Sequence, residues 1–144
     1  MSRTVPQLLA KTTVRLRRGP YVLGKWPLAM ESAVHAGVIR AQRIVSVVMR
    51  DDLEVTALVE ESALSEMPPA RKVEGGWSLL TLDTVMEWQL VGVMAEVSSA
   101  LAAAGVPLGA FAAFSRDHII VQAEHLGAAR DVLARLCAGV EEAT

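Results

Sequence analysis

The strongest hydrophobic pattern in the chain runs from Thr84 to Gly105 (TVMEWQLVGVMAEVSSALAAAG). It predicts one helix with a marked start and stop. Thr84 and Glu87 have the T-x-x-E spacing of a capping box, and Gly105 supplies the left-handed position that ends a helix. Between the caps the clearly polar side chains are Gln89, Glu96, Ser98 and Ser99. So few predict a helix covered around most of its circumference, by a sheet and in part by a second subunit. Gly92, inside the predicted helix, costs about 1 kcal/mol relative to alanine, which close approach of another backbone would explain.

The remaining elements follow from shorter patterns. Residues 1–11 predict a loose or partly helical lead-in. Thr12–Leu16 alternates as a strand, Arg17–Pro20 reads as a break, and Tyr21–Lys25 as a second short strand. Pro27 suits the first turn of a helix over Leu28–Ala36, closed by Gly37. Arg43–Arg50 and Leu53–Val59 are β-branched runs joined by Asp51-Asp52, the pattern of a hairpin. Glu60–Gly76, with Pro68-Pro69 and Gly75-Gly76, has the composition of a connection. Trp77–Leu82, Pro107–Phe114 and His118–Gln122 read as strands, and Glu124–Ala138 as a closing helix with Leu126, Ala129, Val132, Leu133 and Leu136 inward.

Each half is thus roughly strand, helix, strand, strand, with a further helix in the second. That order predicts an α+β fold of two ferredoxin-like units, antiparallel sheets with helices packed on one face. The expected division is an N-terminal extension with the first strand (1–18), a first unit (19–66) and a second unit (67–144).

Composition changes this picture little. The 144 residues are 52% hydrophobic and carry a net charge of −2, which gives no global case for nucleic acid. Charge is uneven: nearly every charge before Asp51 is basic, and the balance after Arg50 is acidic. Either a basic patch or two mutually attracting halves would produce this. One cysteine, Cys137, excludes an internal disulfide and a multi-cysteine metal site. The longest apolar runs fall short of a membrane span and no signal peptide is read at the start, so the expected location is cytoplasmic.

Catalytic constellations are not found. His35, His118 and His125 stand far apart with no H-E-x-x-H or C-x-x-C, the serines lack a G-x-S-x-G context, and neither glycine-rich nucleotide fingerprint occurs. We therefore expect no enzyme, no metal and no cofactor. The candidate that remains is the predicted helix start, Thr84, Val85, Met86, Glu87, Trp88, Gln89 and Leu90. Backbone amides there could hold a carboxylate and Glu87 an ammonium group, the two ends of an amino acid. A merely well-capped helix explains the same residues.

Six segments in order resemble the small tandem ACT-domain proteins of the CASTOR type, over about Gly19 to Leu136. The family's G-x-Y-x-V-x-x-L-P opening is similar to Gly19–Pro27, and its S-V-T-R hairpin to Ser46–Met49. Its G-W-x-x-L strand is similar to Gly76–Leu80. Its L-D-F-S-L-x-G-I-L-A segment falls on Met86–Ala95, and A-G-I-x-I-F-A on Ala104–Ala110. Where the family has S-T-Y-D-T-D-Y, this chain has Ala112–His118, keeping Asp117 and an aromatic at Phe114.

The resemblance implies two ACT-like units, dimerisation, and sensing of an amino acid or related metabolite between units. It also adds Ala113, Phe114 and Asp117 to the pocket. Three alternatives stand beside it: a partner-binding or structural module without ligand, a detached regulatory unit for an amino-acid biosynthetic enzyme such as aspartokinase, and a nucleic-acid binder using the basic half.

Overall fold

A computed structural model describes residues 3–143; positions 1, 2 and 144, the outermost ends of the expected extension and second unit, lie outside the described residues. In chain order the elements are α1 (Val5–Ala10), β1 (Thr13–Trp26), a 3-10 turn (Leu28–Met30), α2 (Glu31–Ala41), β2 (Val47–Arg50) and β3 (Val55–Glu60). A second 3-10 segment (Glu61–Glu66), β4 (Lys72–Asp83), α3 (Val93–Ala103), β5 (Gly109–Ala112), β6 (Asp117–Gln122), α4 (Leu126–Leu136) and β7 (Gly139–Glu142) follow. The fold is α+β. The chain divides into two compact units, one of Gly19–Trp77 and one that joins Met1–Arg18 to Ser78–Thr144.

In the Gly19–Trp77 unit the strands lie in the order β2-β3-β1-β4. β2 and β3 form the expected hairpin, with Val47 opposite Leu58 and Arg50 opposite Val55. Its turn is tied by Asp51, whose carboxylate accepts from the Leu53 and Glu54 amides at 2.8 and 2.9 Å. These two bonds hold the Asp51 carboxyl below the usual carboxylate range. The core is Val22, Trp26, Val34, Val55, Ala57, Val59 and Ala63.

Gly37 does not close the first helix. α2 continues to Ala41 and stops at Gln42, which takes φ +50°. Gly37 is needed for space: a Cβ there would stand 2.6 Å from the Glu66 carbonyl oxygen. We expect Gly37→Ala to cost about 1–3 kcal/mol, as overpacked sites do, measured by urea unfolding. A loss below about 0.5 kcal/mol, the scatter of an ordinary surface change, would mean that the neighbouring segment yields freely.

The other unit orders its strands β7-β1-β4-β6-β5. Its core gathers Leu8 and Leu9 of α1, Val14 and Leu16 of β1, and Leu80 and Leu82 of β4 with Ile119 and Val121 of β6. Val97, Leu101, Ala129 and Leu133 of α3 and α4 pack on this same sheet face. The alternation along β1, β4 and β6 therefore leaves Arg15, Arg17, Thr81, Asp83 and His118 on the opposite face. β7, which the sequence reading leaves unassigned, pairs parallel with β1, Thr13 opposite Gly139. The predicted break at Arg17–Pro20 is also absent. β1 runs through it, with Gly19 at φ +74° and a cis Gly19–Pro20 peptide.

The largest correction concerns the central helix. It begins at Val93, not at Thr84, and Thr84–Gly92 is loop. The Thr84–Glu87 capping box does not form: the Thr84 amide is used elsewhere, and the segment that follows is tied down as loop. Thr84 N–H donates to the Leu82 carbonyl, Met86 N–H to the Ser115 carbonyl and Leu90 N–H to the Glu87 carbonyl. Gly92 at φ +101° then turns the chain into the helix. The end is as expected: Gly105 takes φ +73°, and Val106 N–H and Gly105 N–H return to the Leu101 and Ala102 carbonyls, a Schellman ending. Within the chain the cover is a stripe of Val93, Val97 and Leu101, and Ala95, Ala102 and Ala103 on the other side are exposed.

Candidate functional site

Loop 84–92, the first turn of α3 and the β5–β6 turn meet around a concavity of about 280 Å³. The Met86 N–H to Ser115 carbonyl bond, 2.8 Å, fastens the loop to the turn. The turn is closed by Ala113 N–H donating to the Arg116 carbonyl at 3.0 Å, with Ala112 opposite Asp117 in the hairpin. Of the ten residues expected at the site, Met86, Glu87, Trp88, Leu90, Ala113, Phe114 and Asp117 line this concavity. Thr84, Val85 and Gln89 belong to the loop and are not among the lining residues. Val85 instead borders a cleft beside Arg3 and Leu8.

Three lining residues escape the sequence reading: Gly92, Val93 and Met94, while Ala112 belongs to the turn that the family resemblance sets against the loop. The signal for these three is Gly92 itself. A glycine that is costly inside a helix is cheap just before one, at positive φ. Placing the helix start there would have put Val93 and Met94 at the site.

The chemistry is two acids facing a helix start. No side chain caps α3, and its first backbone bond is Glu96 N–H to the Gly92 carbonyl at 3.0 Å. Preceding amides carry the positive end of the helix dipole. Asp117 is half-buried, and burial pushes its carboxyl above the ordinary value of 3.8, only partly offset by the neighbouring His118. Glu87 is more open and stands 3.8 Å from Arg3. At the rim Trp88 and Phe114 meet edge to face, ring centroids 6.4 Å apart, while 66% and 84% exposed. Two exposed aromatics beside carboxylates and amides can cover the apolar stem of a small zwitterion.

Elsewhere the charges satisfy one another. A second concavity, about 220 Å³, is bordered by Lys25, Glu54, Lys72 and Glu74, whose charges pair as Lys25–Glu54 and Lys72–Glu74. The charge asymmetry along the chain is largely cancelled in space. Arg40, Arg43 and Arg50 pair with Glu66, Glu60 and Glu31, and Arg15 and Arg18 with Glu141 and Glu142. The Cys137 thiol is buried and pushed up to about 11 by that burial, so it is protonated at neutral pH. Among the described residues no group of three or more His, Cys, Asp or Glu could hold a metal, and no helix is long and apolar enough to cross a membrane.

This architecture recurs in solved structures. A protein from Agrobacterium tumefaciens is similar at 18% identity, with 93% of this chain and 95% of that one covered and a TM-score of 0.74. A Vibrio cholerae protein of unknown function, described as a possible transport protein, is similar at 23% identity (92% and 95% covered, TM-score 0.69). The regulatory subunit of aspartate kinase from Thermus thermophilus, in its ligand-free form, is similar at 16% identity (89% and 98% covered, TM-score 0.62). At these identities the likeness establishes the fold. Residues 72–135 match the ACT domain, a stretch that contains every residue lining the concavity. Among curated proteins none matches the chain.

Proposed function

We propose that this chain is a non-catalytic regulatory protein of the ACT type that binds a small amino acid in the concavity beside α3. The observation that carries the reading is the pairing of two carboxylates, Glu87 and Asp117, with an uncapped helix start around one concavity inside the ACT-matching segment. The ligand's ammonium group would meet the carboxylates and its carboxylate the amides of Val93 and Met94.

The reading takes the chain as two ACT-like units of the CASTOR type, one around Gly19–Trp77 and one that gathers Ser78–Thr144 with the N-terminal segment. It places the protein in the cytoplasm as a homodimer, the partner covering the alanine-rich side of α3 and the exposed Trp88–Phe114 rim. Titration calorimetry and thermal shift with each of the standard amino acids test it. At least one should bind, and at a hundredfold excess over its Kd should stabilise the fold by about 2.7 kcal/mol. No response from any of them, in a folded protein, would reject the reading.

A second reading has its own support. The similarity to the Thermus thermophilus regulatory subunit extends over 98% of that subunit, which favours a regulatory unit of an amino-acid biosynthetic kinase. Co-purification of such a kinase with the tagged chain would distinguish it from a stand-alone sensor.

A further inference from the structure

On the sheet face turned away from the helices, in the unit of Met1–Arg18 and Ser78–Thr144, one arginine is out of balance. Both oxygens of Asp83 are engaged, accepting from Arg15 Nε at 3.1 Å and Arg116 Nε at 2.8 Å. Glu141 is also taken by Arg15. Arg17 is left over, with a buried Nε that has no hydrogen-bond partner among the described residues. An unmet donor on a charged group is costlier than one on a neutral group, so Arg17 offers a donor for a further group to complete.

A second donor lies on the same face of the sheet. His118 Nδ1 lies 2.8 Å from Thr81 Oγ1, and when the hydroxyl donates to Nδ1 the neutral ring carries its proton on Nε2. We propose that Arg17, Thr81 and His118 form an anion site, separate from the concavity beside α3, that takes a small oxyanion, either a carboxylate or a phosphate group. Arg17 supplies charge and the Nε–H donor, His118 the Nε2–H donor, and Thr81 fixes the ring.

The electrostatics agree. Burial, then Arg17, and to a smaller extent Arg116 hold the His118 imidazole below its ordinary value of 6.5, against the opposing pull of Asp117. The ring is therefore neutral at pH 7. The folded state resists its protonation, so stability is full above 6.5 and falls as pH drops from there through the lowered folded value. A bound anion reverses that bias, so its affinity should rise over the same interval.

The test is an NMR titration of the His118 ring in the full chain, with inorganic phosphate or acetate at constant ionic strength. At least one anion should raise the His118 pKa, and which one responds identifies the group bound. Arg17→Leu should raise the anion-free His118 pKa and weaken the anion about tenfold or more, as the loss of a charged hydrogen bond does. Arg17→Lys keeps the charge without the Nε donor; it should leave the anion-free pKa low yet still weaken binding, and it decides the matter if Arg17→Leu does not fold. If neither anion moves His118, or the shifts survive both substitutions, the proposal fails. Amino-acid binding at the other site should be unchanged in Arg17→Lys, so the two proposals stand or fall separately.

Discussion

Replacing Trp26 with alanine is expected to remove about 3–5 kcal/mol of stability from the Gly19–Trp77 unit, the range for emptying a large aromatic from a core. Trp26 is fully buried among Val22, Val34, Val55, Ala57 and Val59. It occupies space that Gly24 vacates: a Cβ on Gly24 would stand 2.7 Å from the indole ring. Its Nε1–H donates to the Pro68 carbonyl at 2.7 Å, tying the 67–71 segment to β1. Trp26→Phe separates the two contributions. It keeps most of the packing, opens a smaller gap and orphans the Pro68 carbonyl, so a loss of about 1–3 kcal/mol is expected. Amide exchange at Val55–Val59, on the strand paired with β1, reads this unit specifically. A Trp26→Ala loss below about 1 kcal/mol, the median for any substitution, would show that the cluster is not what holds the unit together.

Trp26 also shows what a sequence carries and what it hides. Its place before Pro27 ends β1 legibly, since proline cannot continue the ladder. That an isolated tryptophan is the core of a small unit is not visible, because burial depends on the partners of a non-local sheet. The hairpin at Asp51-Asp52 is readable because local turn chemistry fixes it. β7 is not: Gly139–Glu142 (GVEE) carries two acids, and it is a strand only because its backbone meets β1 and its glutamates meet Arg15 and Arg18.

At the site the same division holds. Gly105 shows where α3 ends, because its left-handed backbone is a local requirement. Its start is hidden: Thr84 and Glu87 have the right spacing for a cap, yet the Ser115 carbonyl, nearly thirty residues later, takes the Met86 amide. The capping box the chain does form is at Thr4 and Gln7, where side chains and backbone amides exchange bonds at 2.9 and 3.3 Å. A local motif decides the fold only where no distant group competes for the same donor. The loop thereby freed from the helix is what gives the concavity its wall.

Asp117→Asn is expected to lose ligand and gain stability. In the ligand-free protein burial raises the Asp117 carboxyl above 3.8, so the folded state prefers it protonated. The sign follows: this group's contribution is neutral well below 3.8 and turns unfavourable as pH rises through 3.8 to the raised folded value, remaining so at neutral pH. Asparagine removes the charge and keeps the shape, so the ligand-free variant should be more stable than the parent at pH 7, with the difference vanishing in acid. Binding should move the other way. Removing one partner of a half-buried charge pair costs about 2–3 kcal/mol, or roughly 30- to 150-fold in Kd. Calorimetry with the amino acid that binds the parent, alongside urea unfolding at pH 7 and about pH 2.5, reads both. A carboxylate that serves only to shape the β5–β6 turn would lose stability on substitution and leave the Kd unchanged. The opposite pairing is the mark of a charge retained for a ligand, since a half-buried acid with no neutralising partner is a cost the fold alone has no reason to carry.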